Sequence, residues 1–146
     1  MFEIKQIHSA DAAALRQRVI LPVTPLEECK YDGDENHETI HIGAYAQDQL
    51  VGAASFYQEQ HTKIKGDGMY RLRGLAIDPD HRNELRGQTL ILFGENLLAQ
   101  LGISGLWCTT KASNKPYYEH LGFKEAGYTY NDRNKGLQVL MMKHLI

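Results

Sequence analysis

The sequence predicts an α+β fold: a mixed, mostly antiparallel sheet flanked by helices, in the order β-α-β-β-β-α-β-α-β-β. Three observations predict it. Residues 40–46 and 50–57 are strand-like runs separated only by the polar turn Gln47-Asp48-Gln49, the pattern of an antiparallel hairpin. Residues 69–77, 87–101 and 105–109 read strand, helix, strand, which implies a parallel crossover. The 146 residues hold no Pro/Gly/Ser-rich linker and no internal repeat, so one domain over 1–146 with one core is expected.

Each element has a local reason. Residues 2–7 alternate apolar and polar side chains and read as a first strand. Ser9 is expected to cap a helix over 10–20, with Asp11 favoured in its first turn by the helix dipole and Pro22 and Pro25 ending it. Residues 26–38 are polar and acidic and are expected to form an exposed loop. In 69–77 the period of two sets Tyr70 and Leu72 on one face and Arg71 and Arg73 on the other, and Asp78-Pro79-Asp80 stops the strand. Leu90, Ile91, Phe93, Leu97, Leu98 and Leu101 fall at the spacing of a core-facing helix, with Gly102 where a left-handed cap belongs. Residues 105–109 form a short apolar strand. Ser113 or Asn114 can then open a short helix with Pro116 in its first turn, closed by Gly122 with Phe123 folding back. Strand-like runs at 124–130 and 137–145 flank the polar turn between them.

Composition narrows the function. With 42% hydrophobic and 23% charged residues the chain has the balance of a folded globular protein. A net charge of -2 supplies no general field for nucleic acid or an anionic membrane, so neither is expected as a partner. No run approaches the roughly 18 apolar residues of a membrane helix, and Glu3 and Lys5 stand where a secretory signal would be apolar. The two cysteines, Cys29 and Cys108, are far apart and outside any CxxC, which points to a reducing, cytoplasmic setting. The seven histidines show no ligand spacing, so no metal is expected.

Two segments carry chemistry. In the first, Leu75-Ala76-Ile77-Asp78-Pro79 ends a strand, and a loop containing Arg82, Arg86 and Gly87 runs straight into the amphipathic helix. The first amides of a helix have no intrahelical partner, and with the dipole they suit phosphate oxygens. The second is Asn114-Lys115-Pro116-Tyr117-Tyr118-Glu119-His120-Leu121-Gly122-Phe123, one strand later.

With both segments in place, the chain resembles the GNAT superfamily of N-acetyltransferases. That family's hydrophobic-x-hydrophobic-x-Pro strand end, R-x-x-G-x-G/A loop, later Asn and F-Y-x-x-x-G-F helix are matched by 75–79, Arg82-x-x-Leu85-x-Gly87, Asn114 and Tyr117-Tyr118-x-x-x-Gly122-Phe123. Leu85 departs from the pattern, standing at the first glycine of the loop.

The resemblance implies acetyl-CoA as co-substrate and a primary amine as acceptor, in a small molecule or a peptide. Leu75, Ala76 and Ile77 would pair with the pantetheine arm where strands 69–77 and 105–109 part, and the amides of Arg82, Asn83, Glu84, Leu85, Arg86, Gly87 and Gln88 would hold the pyrophosphate. Asn114 would bond the cofactor, an amide near Leu75 would stabilise the oxyanion, and Tyr118 would protonate the leaving thiolate. A phenol of pKa about 10 keeps its proton at neutral pH and can pass it to a thiolate whose conjugate acid is near 8.5.

No acid sits in 69–77, where many members carry a glutamate; His41, Glu38 and Glu59 are candidates for taking the amine's proton. Arg71, Arg73 and His41 are candidate acceptor-binding residues. A non-catalytic acyl-CoA-binding module on the same fold and a small interaction domain are the alternatives. The last strands could also pair across a homodimer.

Overall fold

The computed structural model describes residues 2–145. Its elements are β1 (Phe2–Gln6), α1 (Ser9–Val19), β2 (Ile40–Ala46), β3 (Gln49–Gln58), β4 (Met69–Ile77), α2 (Gly87–Gln100), β5 (Gly105–Lys111), α3 (Lys115–His120), β6 (Lys124–Asp132) and β7 (Gly136–His144), in the expected order. Short 3-10 turns fall at Leu26–Cys29, Pro79–His81 and Ala112–Asn114. The sheet has seven strands, with hydrogen-bonded neighbours in the order β1-β2-β3-β4-β5-β7-β6. The β4–β5 pair is parallel, as a strand-helix-strand crossover requires. Gln47, at φ 56, makes the tight turn between β2 and β3.

The chain forms two compact units, 1–57 with 72–97, and 58–71 with 98–146. In the first, Leu15 of α1 packs on Ala53 of β3 and Ala76 of β4. Leu90 and Ile91 of α2 are fully buried, each contributing about 1.5–3 kcal/mol relative to exposure. In the second, Ile64, Met69, Trp107 and Leu140 form the core, with Tyr128 and Met142 packed against it. The β7 strand is antiparallel to both β5 and β6, so the last strand of the chain lies inside the sheet order rather than at its end.

Two local expectations are corrected. Ser9 does not cap α1: it occupies the first helical position, His8 stands before it, and the Ser9 hydroxyl donates to Glu35 Oε1 at 2.7 Å. Residues 26–38 are also not uniformly exposed, because Cys29 and Asp34 are buried. A loop aspartate goes inside only when its charge is met there.

Candidate active site

In the first unit, Gly74 of β4 has φ +70, a left-handed step closed to most L residues, so the strand bends just before Leu75. A side chain there would also meet Arg16 Nε at 3.0 Å and Tyr31 Cε2 at 3.3 Å. The parallel ladder of β4 with β5 joins Met69, Tyr70 and Arg71 to Gly105, Leu106 and Trp107, and Leu75, Ala76 and Ile77 take no part in it.

After Ile77 the chain turns twice before α2. The Asp78 carboxylate accepts from the Asp80 amide at 3.0 Å, and the Arg82 Nε donates to Ile77 O at 3.1 Å. The amides of Arg82, Glu84 and Leu85 are spent inside the turn, on Pro79 O, His81 O and His81 O. The Leu85 side chain is buried and fits the space left by Gly52, where a Cβ would lie 2.8 Å from Leu85 Cδ2. Leu85 therefore works as a core anchor whose bulk faces inward. The amides of Arg86, Gly87 and Gln88 are not among the turn's internal bonds, and Arg82 and Arg86 are exposed beside them. These donors at the start of a 14-residue helix fit a diphosphate.

Sequence reasoning missed the most polar part of this unit's interior. Arg16 is 1% exposed, and its guanidinium donates to Asp34 Oδ2 at 2.6 Å and Oδ1 at 3.1 Å, Ser55 Oγ at 2.9 Å, Tyr57 Oη at 2.8 Å and Cys29 O at 3.2 Å. Tyr57 Oη in turn donates to Asp34 Oδ1. Burial alone would raise the Asp34 carboxyl, but the bonds from Arg16, Tyr57 and the Tyr31 amide outweigh it and hold the group below the usual carboxylate range. Burial and the neighbouring carboxylate push the Tyr57 phenol well up. The only hint in sequence was an arginine in a helix whose other inward residues are apolar.

His41, expected as an acceptor-site or proton-accepting residue, belongs to this cluster instead. It is 5% exposed, with Nδ1 2.7 Å from Ser55 Oγ and Nε2 3.0 Å from the Asp34 carbonyl. A carbonyl can only accept, so Nε2 carries the hydrogen and Nδ1 accepts from the Ser55 hydroxyl. Both ring nitrogens are engaged inside the cluster.

In the second unit, Tyr118 lies on α3, a helix of six residues that is too short to stand alone. It is held by its ends. Asn114 stands at the N-cap with Pro116 in the first turn, and Phe123 N donates to Tyr118 O at 3.1 Å while Lys143 Nζ donates to Leu121 O at 2.6 Å. The Asn114 side chain is exposed and makes no capping bond. Tyr118 is half-buried, with Tyr117 and Phe123 edge-on at 5.2 and 5.7 Å. Burial, with Cys108 nearby, pushes its phenol well up, and a hydrogen bond with Thr110 opposes this only in part. Its proton is secure at neutral pH. Cys108 is buried and its thiol is pushed up to about 12 by desolvation, which removes the thiolate a covalent acyl-cysteine would need.

Also in this unit, Arg71 Nη1 is 3.3 Å from Glu59 Oε2, its guanidinium lies 4.9 Å from the Trp107 ring, and Trp107 Nε1 donates to Glu59 O at 2.7 Å. Glu59, a candidate for taking the amine's proton, is thus paired with Arg71. His61 packs edge-on against Trp107 at 4.8 Å, and burial followed by the Arg71 charge lowers its pKa. Arg73, by contrast, falls in the first unit, 3.9 Å over the Tyr31 ring.

Comparison with known proteins bears on the family and the fold. The Acetyltransferase (GNAT) family matches residues 3–123. A Bacillus subtilis (strain 168) protein named as the uncharacterized N-acetyltransferase YitI is 33% identical over 145 residues, spanning 99% of this chain and 97% of that one. Among solved structures, the aminoglycoside 6'-N-acetyltransferase from Enterococcus faecium aligns with TM-score 0.75 at 19% identity, over 99% of this chain and 97% of that one. An aminoglycoside 6'-N-acetyltransferase complexed with coenzyme A aligns with TM-score 0.72 at 18% identity, over 99% and 97%. At such identities these two speak to the fold. With the family match covering most of the sequence and the curated relative nearly all of it, the chain belongs to the GNAT family of acetyltransferases.

Proposed function

We propose that the protein, acting as one domain, transfers acetyl from acetyl-CoA to a primary amine by direct attack. The amides of Arg86, Gly87 and Gln88, helped by the Arg82 and Arg86 side chains, hold the pyrophosphate. The backbone of Leu75, Ala76 and Ile77 pairs with the pantetheine arm, Asn114 bonds the same cofactor, and an amide near Leu75 receives the oxyanion. Tyr118 gives its proton to the departing thiolate. Beyond family membership, the observation that carries this reading is the setting of Tyr118, a half-buried phenol on α3 with Tyr117 and Phe123 edge-on beside it.

Thermal unfolding with coenzyme A tests the first half: saturation at 100 times Kd is expected to stabilise the fold by about 2.7 kcal/mol. Amine-dependent thiol release from acetyl-CoA tests the second. Neither outcome with any amine would end the proposal. A second reading, acyl-CoA binding without turnover, is favoured by two observations: His41 has both nitrogens engaged in the cluster, and β4 carries no carboxylate. A thermal shift without thiol release across an amine panel would select it.

A further inference from the structure

Two guanidinium groups stack on the Tyr31 ring, that of Arg16 at 4.0 Å and that of Arg73 at 3.9 Å. They are in different electrostatic states. Arg16 is buried and balanced by the two Asp34 oxygens. Arg73 is half-buried, and among the described residues no carboxylate lies within ion-pair distance of it. The stack is held from below: Asp34 Oδ2 fixes both the Arg16 guanidinium and, at 2.9 Å, the amide of Tyr31. The ring that carries Arg73 is therefore set by a buried ion pair.

A half-buried guanidinium that lies over an aromatic ring and has no carboxylate in ion-pair range is organised for a planar oxyanion, which it can bind through two parallel N–H bonds. Arg73 also immediately precedes Gly74, the bend that opens the 75–77 segment assigned above to the thioester arm.

We propose that Arg73 recognises an anionic group on the acceptor, so that the preferred substrates are amines that also carry a carboxylate or a phosphate. This rests on the acetyltransferase reading, and the experiment separates the two. Matched acceptors are compared by thiol release: amino acids against their decarboxylated amines, and an amino sugar against its phosphate ester. The wild-type protein is expected to favour the anionic member of a pair by about 10-fold or more, the worth of a charge-assisted hydrogen bond. The carboxylate and phosphate pairs tell the two anions apart. In Arg73→Gln that preference is expected to collapse toward one through KM, while coenzyme A still raises the melting temperature. A preference for the neutral or cationic member, or one unchanged in Arg73→Gln, overturns the proposal.

A second arm needs no turnover. The Arg73 Nε–H resonance, identified by its loss in Arg73→Lys, is titrated with inorganic phosphate and with acetate in the coenzyme A complex. A saturable shift in at least one titration supports the site, and linear drift in both sinks it. Failure of coenzyme A to shift the melting temperature at all would instead condemn the acetyltransferase reading.

Discussion

Tyr57 and Tyr118 are both phenols pushed up by burial, yet their hydroxyls sit in opposite surroundings. Tyr57 Oη accepts from Arg16 and donates to Asp34, so its proton is committed to a closed network. Tyr118 is surrounded by Tyr117, Phe123 and Cys108, with Thr110 as its polar neighbour, and its proton is not tied to a charged acceptor. A raised pKa by itself therefore does not mark a catalytic acid. What the hydroxyl is bonded to separates the two: Tyr57 is closed into an ion-pair network, whereas the polar neighbour of Tyr118 is the uncharged Thr110.

The largest effect is expected where the closed network is cut. Asp34→Ala leaves the Arg16 guanidinium buried without its counter-charge, and unpairing a buried ion pair costs about 3–5 kcal/mol. Urea denaturation should read this directly, and a loss under 1 kcal/mol would mean that Arg16 finds another partner or water. Tyr118→Phe should instead spare stability and lower kcat by about 100-fold or more, the lower range of general-acid catalysis. Its coenzyme A affinity, from the same thermal shift, should stay within a factor of three. Full turnover in Tyr118→Phe would erase the contrast.

Tyr57→Phe is the mirror experiment. It removes one donor to Asp34 and one acceptor for Arg16, so about 1–3 kcal/mol of stability should go while kcat stays near wild type in the folded fraction. A selective loss of kcat would place Tyr57 in the chemistry after all.

The smallest effect is one of pH. The folded Asp34 carboxyl lies below its unfolded value of about 3.9, so its contribution is complete above that pH and is lost as pH falls through the folded value. Below about pH 4 the wild-type stability should fall more steeply than that of Asp34→Asn, by up to about 1.4 kcal/mol per pH unit. Parallel acid limbs would show that the carboxyl is not depressed.

The local structure of the two candidate-site segments was legible because it is written in short-range pattern. The loop from Ile77 into Gly87 and the run from Asn114 to Phe123 each hold their donors, caps and glycine within a few residues. What a side chain faces was not legible there. Leu85 looked like a misfit for a phosphate loop, and only its packing on Gly52 shows that its bulk points away from the amides. His41 looked available because a histidine on a strand carries no mark of its partners.

By itself the sequence determined the element order, the amphipathic face of α2 and the short motifs around Gly87 and Tyr118, because helix periodicity, caps and turns are set by neighbours a few residues away. Tertiary structure alone decided that β7 enters between β5 and β6, and that Arg16 meets Asp34, Ser55 and Tyr57 across separations of 18, 39 and 41 residues. A buried charge is stable only with its complement beside it, and no local pattern can say where along the chain that complement will be found.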